Sequence, residues 1–408
     1  MPQQPNILLI VSDEHAPQTV GCYGAEFAHT PNMDRLARGG VTFDSAYCNF
    51  ALCVPSRNSF MTGLLPHRIG AYDNGSAFSS HLPTWAHMLR RAGYHTALSG
   101  KMHFVGPDTL HGFHEHWYEH DDKDGEARHP VSGCRWGEEN PSGTAYRCWT
   151  ELTRLQDAAE HPFSMKELKR LHASLQYIRS RPADGRPWAL CMGFSYPHYP
   201  QVFTEAAWNR YEGVAIPEPV RRESFHPRVT KWSDDVWGFD RVPPDAVADM
   251  RRAYLAMVTM LDDWIGLLMK TLEETGQAEN TVVVYTSDHG DMWGEHDLWG
   301  KNLFYEESSR VPLIVSAPSL GVEENRHIPT PVSLVDLYPT LRDAAGVTGW
   351  LAELDGRSLW SACRGKETLA EQPVFCDYYA SDTKGPERMV RLGRYKLNYY
   401  HHWGMELF

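Results

Sequence analysis

The sequence has no apolar run long enough to cross a bilayer. Its apolar runs, such as Ile7 to Val11 and Val282 to Tyr285, fall far short of a membrane span, so no membrane partner is expected. The N-terminus lacks a basic region followed by a long apolar stretch and a small-residue cleavage site. The expected location is therefore cytoplasmic, although a mature exported chain would read the same way. There is no CxxC pair. The eight cysteines, at positions 22, 48, 53, 134, 148, 191, 363 and 376, are scattered and read mostly as reduced, structural thiols. No basic block appears either. Lys and Arg number 39 against 52 Asp and Glu, a net charge of -13, which argues against a nucleic-acid partner. Internal repeats, low-complexity tracts and the compact His/Cys clusters of zinc sites are all missing.

What is present is an ordinary globular composition in 408 residues, 42% hydrophobic and 22% charged. Strand-length apolar runs alternate with helix-period segments, the pattern of an α/β fold around a large, mainly parallel or mixed sheet sandwiched by helices. Strands are expected at Asn6 to Ser12, Tyr94 to Ser99, Trp188 to Ser195, Thr281 to Ser287 and Pro312 to Ser316. Helices are expected at Thr84 to Arg91, Ala246 to Glu274 and Leu334 to Ala345. In the second of these, Met250, Tyr254, Met257, Leu261, Ile265 and Leu268 share one face, and Gly276 supplies the stop. Residues 1–365 read as one catalytic domain with irregular insertions about 113–150 and 221–244. Residues 366–408 read as a small C-terminal α+β subdomain with short strands at Pro373 to Tyr379 and Met389 to Tyr400. It ends at Phe408 as though cut short in mid-strand.

The chemistry gathers where strands end. Asn6 to Ser12 runs into Asp13-Glu14, and Tyr94 to Ser99 into Gly100-Lys101-Met102-His103. Trp188 to Ser195 runs into Tyr196-Pro197-His198, and Thr281 to Ser287 into Asp288-His289-Gly290-Asp291. Open α/β sheets bind ligands at the carboxyl ends of their strands. A single strand-end Asp is usually a turn or cap residue, but four such ends in one sheet point to one site. Asp13, Asp288 and His289 are candidate ligands for a hard divalent cation, Ca²⁺ or Mg²⁺, with the imidazole favouring Mn²⁺. Glu14 fits a ligand or a carboxylate one layer further out. Cys53-Val54-Pro55-Ser56-Arg57, ahead of a short helix over Asn58 to Gly63, places a thiol at a helix start near an arginine. Dipole and charge there favour the thiolate. A buried structural cysteine, or a nucleophile with His103 or His198 as base, are the ordinary readings.

The string C-x-P-S-R resembles the maturation signal of the formylglycine-dependent sulfatases of the alkaline-phosphatase superfamily. Asn6 to Asp13, Gly21-Cys22-Tyr23-Gly24, Thr30 to Ala37, Gly100 to His103, Ser287 to Gly290, and Lys301 with Tyr305-Glu306 and Arg310 to Leu313 resemble that family too, in order over roughly residues 5 to 400. The resemblance implies that a formylglycine-generating maturation enzyme oxidises Cys53 to formylglycine. One hydroxyl of the hydrated aldehyde then attacks sulfur and expels the alcohol, and deprotonation of the other ejects sulfate. It also implies that Asp13, Cys53, Asp288 and His289 bind the metal. Arg57 and His103 would hold the hydrate, with His103 the base for sulfate release. Lys101 and Lys301 would contact sulfate, and His198 or Lys301 would assist the leaving oxygen.

Gly70 to Asn74, the run GYHTALSGKMHFVGPDTLHGF from Gly93 to Phe113, and the Asp288-His289 pair resemble choline sulfatases within the family. The Asp-His pair is shared with phosphonate monoester hydrolases. The first expected substrate is therefore a small sulfate ester, choline-O-sulfate, with Asn74, Trp117, Trp136 and Trp149 as candidates to line its pocket. The alternatives are an arylsulfatase, a phosphonate monoester or phosphodiester hydrolase, a metal-free cysteine hydrolase and a catalytically dead binding protein. A homo-oligomer is left open.

Overall fold

All eight residues of strand β1 (Asn6–Asp13) are buried. Its side chains alternate between two cores: Leu8 and Ile10 face one, Ile7, Leu9 and Val11 the other. A strand covered on both faces needs an unbroken apolar run, which is why this segment does not alternate with polar residues. Burying such side chains contributes roughly 1.5–3 kcal/mol each. The computed structural model describes residues 4–118, 147–181, 185–221, 226–348, 353–380, 383 and 385–408.

After β1 come α1 (Pro31–Arg38), β2 (Gly40–Phe43), α2 (Cys53–Thr62) and α3 (Trp85–Arg91). Then follow β3 (His95–Gly100), β4 (Glu115–Trp117), α4 (Pro162–Ser180), β5 (Trp188–Pro197) and α5 (Val247–Glu274). The large sheet is completed by β6 (Thr281–Ser287), β7 (Leu313–Ser316) and β8 (Arg326–Ile328), before α6 (Leu337–Ala344). Its order is β8-β2-β7-β6-β1-β5-β3-β4, and β7 alone runs antiparallel to its neighbours. Helices α1, α4 and α5 cover one face; α2, α3 and α6 cover the other. The molecule is thus an α/β sandwich around a mixed, mainly parallel sheet. No helix among the described residues is long and apolar enough to cross a membrane.

A separate antiparallel sheet closes the chain: β9 (Val374–Tyr378), β10 (Glu387–Leu392), β11 (Tyr395–Tyr400) and β12 (Gly404–Leu407). The single strand expected over Met389 to Tyr400 is two, because Gly393 takes φ 52° in a tight turn between paired Leu392 and Tyr395.

Three other expectations are revised. The helix expected from Asn58 begins at Cys53 itself, since Pro55 falls in the first turn, where its missing N–H costs nothing. Within 113–150, residues 115–117 are the edge strand β4, paired with β3, and Arg147–Thr150 is a helical turn. Within 221–244, Pro227–Thr230 and Lys231–Trp237 are helical rather than irregular.

Candidate active site

Strands β1, β5, β3 and β6 lie side by side and parallel, so their carboxyl ends open on one place. Helix α2 points its first residue into it. Every residue of α2 is buried, and the Val54 N–H is capped at 3.0 Å by Oδ1 of Asn74, a residue from a distant loop. Asn74 therefore fixes the start of the Cys53 helix.

The Cys53 sulfur lies 3.3 Å from His289 Nε2, 3.8 Å from Asp13 Oδ1, 3.7 Å from Lys301 Nζ and 4.0 Å from Lys101 Nζ. His103 also hydrogen-bonds it. Arg57, one turn along α2, ties the strands together. Its Nε donates to Asp288 Oδ2 at 2.8 Å, one terminal nitrogen to Asp13 Oδ2 at 3.1 Å, and the other to the Lys101 carbonyl at 2.6 Å. Lys101 also pairs with Asp13. The backbone under Lys101 is set by Gly193 of β5. A Cβ there would sit 2.0 Å from the Lys101 carbonyl oxygen, so only glycine allows the approach.

Charge follows from this packing. Burial would raise the Cys53 thiol, but Lys101, Lys301, His289 and the His103 hydrogen bond hold it well below its ordinary value. Burial and the sulfur would likewise raise Asp13; Lys101, His198 and Arg57 hold it lowered. Against its burial, His289 is held up at about 10 by Asp288.

Four donors, Asp13, Cys53, Asp288 and His289, come within 4.8 Å of one another and are all buried. Two carboxylates, a sulfur and an imidazole in one closed pocket need compensating positive charge. A divalent cation supplies that charge, so the donor set fits one. The two carboxylates suit a hard cation such as Ca²⁺ or Mg²⁺, and the imidazole suits Mn²⁺.

Glu14 stands apart from that set. It has φ 65°, its N–H donates to Asp288 Oδ1 at 3.2 Å, and its Oε2 faces Lys301 Nζ at 3.0 Å and His198 Nε2 at 3.2 Å. His198 Nδ1 lies 2.6 Å from the Tyr199 carbonyl, which can only accept, so Nδ1 carries a proton. The contact of Nε2 with Glu14 then needs another proton between them. Burial raises Glu14 against the pull of Lys301, and burial with Lys301 lowers His198 to about 4.

Among the other candidates, Trp149 lies against Gly300 and meets the Tyr199 ring at a tilt, 4.6 Å between centroids, beside the Lys301 end of the cleft. Trp117 instead packs on Tyr177 of α4 at 5.6 Å, a structural place. Trp136 lies outside the described residues. The motif reading passed over Asp291, which is buried beside Glu14, and Tyr199, whose ring is 5.7 Å from Lys301 Nζ. Asp291 was in view as the end of the β6 string. Nothing in the sequence singled out Tyr199.

Comparison with known proteins agrees with this geometry. Residues 5–347 match the family model described as Sulfatase, and residues 294–408 match the one described as N-sulphoglucosamine sulphohydrolase, C-terminal. The choline-sulfatase of Rhizobium meliloti (strain 1021) is 37% identical over 97% of this chain and 78% of its own length. Arylsulfatase K of Danio rerio is 28% identical over 97% of this chain and 76% of its own. Among solved structures, the phosphonate monoester hydrolase of Silicibacter pomeroyi superposes with a TM-score of 0.78 at 23% identity, covering 99% of this chain and 89% of that one. At that identity the likeness speaks to the fold.

Proposed function

The chain belongs to the sulfatase family of the alkaline-phosphatase superfamily, hydrolases of sulfuric esters, and from that premise we propose that it cleaves a small sulfate monoester, with choline-O-sulfate first among the candidates. The observation that carries the reading is the Cys53 sulfur, set between two lysines and a buried Asp/Asp/His cluster. We infer that Cys53 acts as formylglycine, installed by a maturation enzyme, and that Asp13, Asp288 and His289 hold a divalent cation with it. The hydrated aldehyde supplies a hydroxyl nucleophile, and the cation supplies charge that steadies anionic oxygens.

The remaining roles fall to this chain's own side chains. Lys101 and Lys301 approach the nucleophile from two sides and meet the charge on the sulfuryl oxygens. Arg57 fixes both aspartates and the Lys101 backbone, so that these charges are in place before substrate arrives. His103, hydrogen-bonded at Cys53, is the base for sulfate release. Lys301 supports the leaving oxygen, and Glu14 with His198 aims it; in this reading Glu14 is not a metal ligand.

Tyr199 and Trp149 give the Lys301 side of the cleft aromatic faces, which suits an alkylammonium alcohol. The choline-sulfatase relative supports the same choice. The second reading, an aryl sulfatase or phosphonate monoester hydrolase, uses the same charges on a different alcohol or a phosphonate. One batch of enzyme assayed for kcat/KM on choline-O-sulfate, an aryl sulfate and an aryl phosphonate decides between them. Choline-O-sulfate ahead by several orders of magnitude supports the proposal, and aryl esters ahead refute it. The mass of the peptide carrying Cys53 is measured alongside, since the aldehyde exchanges H₂S for O.

A further inference from the structure

Cys48 and Cys376 meet where the C-terminal sheet rests on the segment that leads into α2. Their sulfur atoms are 3.9 Å apart and both residues are closed to solvent. The backbones that carry them are hydrogen-bonded neighbours. The Asp377 N–H donates to the Asn49 carbonyl at 2.9 Å, the Asn49 side chain donates to the Phe375 carbonyl at 3.0 Å, and Phe50 bridges Asp377 in parallel. Adjacent segments of this kind run about 5 Å apart, close enough for side chains one residue out of step to meet, as these two sulfurs do. Among the described residues no other two thiols touch. Neither sulfur takes part in the site around Cys53, so no reaction there reserves them.

We propose that Cys48 and Cys376 form a disulfide that staples β9 to the segment preceding α2. The partner reactant is a small-molecule disulfide. One protein thiolate attacks it, breaking its S–S bond and releasing one small thiol; the second protein thiolate displaces the other. Two protein thiols lose two protons and two electrons, and the small disulfide leaves as two thiols. Side-chain rotation covers the distance from 3.9 Å to a bond of about 2.05 Å. The bond closes a loop holding most of the chain, which restricts the unfolded state far more than the folded one. Burial pushes the Cys376 thiol up, so exchange with the folded enzyme is slow.

The test equilibrates purified full-length enzyme with graded mixtures of reduced and oxidised glutathione, alkylates remaining thiols in acid-quenched samples, and maps peptides without reduction. The expected result is a Cys48–Cys376 peptide pair lighter by two hydrogens, with an apparent Tm raised by roughly 5 °C. Cys48→Ala should abolish both the linked peptide and the rise, while Cys22→Ala keeps both. Cys376→Ala repeats the first control should Cys48→Ala fold poorly. Alkylation of Cys48 and Cys376 at every ratio, glutathione on either one singly, or a different pairing each overturns the proposal. None of these readouts depends on the identity of the sulfate ester.

Discussion

Nζ of Lys301 lies 3.0 Å from Oε2 of Glu14, in a pair almost sealed from water. The ammonium also reaches the Cys53 sulfur at 3.7 Å, so one side chain joins the nucleophile to the layer behind it. Lys301→Ala is expected to lower kcat/KM by about 10²–10⁴-fold on an alkyl sulfate and by much less on an aryl sulfate, whose oxygen leaves unaided. Equal losses on both would make Lys301 a binding residue only. Glu14→Gln should keep the metal content of the wild type and still cost about 10-fold in rate; metal lost along with rate would return Glu14 to the ligand set.

Arg57 is wholly buried between Asp13 and Asp288. Arg57→Ala takes the guanidinium from Asp288 and leaves Asp13 with Lys101, and should destabilise the fold by about 3 kcal/mol, read as a lower urea midpoint together with lost turnover. Arg57→Lys should recover little, because an ammonium cannot reach the three acceptors that the planar fork serves. An unchanged midpoint in the alanine variant would contradict this account.

Asp288→Asn is expected to lose metal, measured by elemental mass spectrometry, and rate together. Cys53→Ser should fold normally with nearly all turnover gone. A chelator should silence the wild type, and Mn²⁺ or Ca²⁺ should restore it. Activity that survives chelation but not iodoacetamide would instead indicate an unmodified cysteine nucleophile.

Asn74→Ala removes the cap on the Val54 N–H, a loss of about 1 kcal/mol at a helix start. Because the cap acts on the Cys53 helix, kcat should fall by a similar factor for every ester, with KM little changed. A rise in KM confined to choline-O-sulfate would restore Asn74 to the substrate pocket.

His111 is buried against Phe78 at 4.1 Å and Phe104 at 4.6 Å, and burial lowers its imidazole from 6.5 to about 4 despite nearby Asp108. The unfolded chain takes up this proton near pH 6.5 while the folded chain holds it off. Its contribution is therefore complete above that pH and is lost as pH falls toward 4, at about 1.4 kcal/mol per pH unit. Urea midpoints at pH 7, 6 and 5 should show that slope, reduced by about one proton's worth in His111→Asn whatever the variant's absolute stability. An identical slope would show that His111 is not responsible.

Much of this was legible because the sheet's central strands are buried on both faces. Thr281–Ser287 appears residue for residue, and β1 and β3 within one or two positions. The carboxylates, Lys101 and the imidazoles at their ends were equally plain, since that chemistry sits within a few residues of each apolar run, whereas Lys301 lies well beyond β6 and entered only through the family resemblance. What stayed hidden depends on tertiary contacts. Asn74 entered as a candidate pocket residue from the Gly70 to Asn74 string, but only the fold shows it capping α2. Trp117 and Trp149 are the same residue type in the same stretch, yet one packs under α4 and the other beside Lys301. The positive φ of Glu14 and His103, both non-glycine, leaves no mark in the sequence, though strained backbone of this kind gathers at functional sites.

Gly193 has no atom that could bind or react, yet the lysine carbonyl rests where its side chain would be. Replacing that one hydrogen with a methyl group would push the Lys101 peptide, and with it the acceptor for Arg57, out of register with the cleft. In a saturation library scored on turnover, position 193 should look as intolerant as the lysine it supports. A map of intolerance would therefore outline the contacts beneath the chemistry as sharply as the chemistry itself.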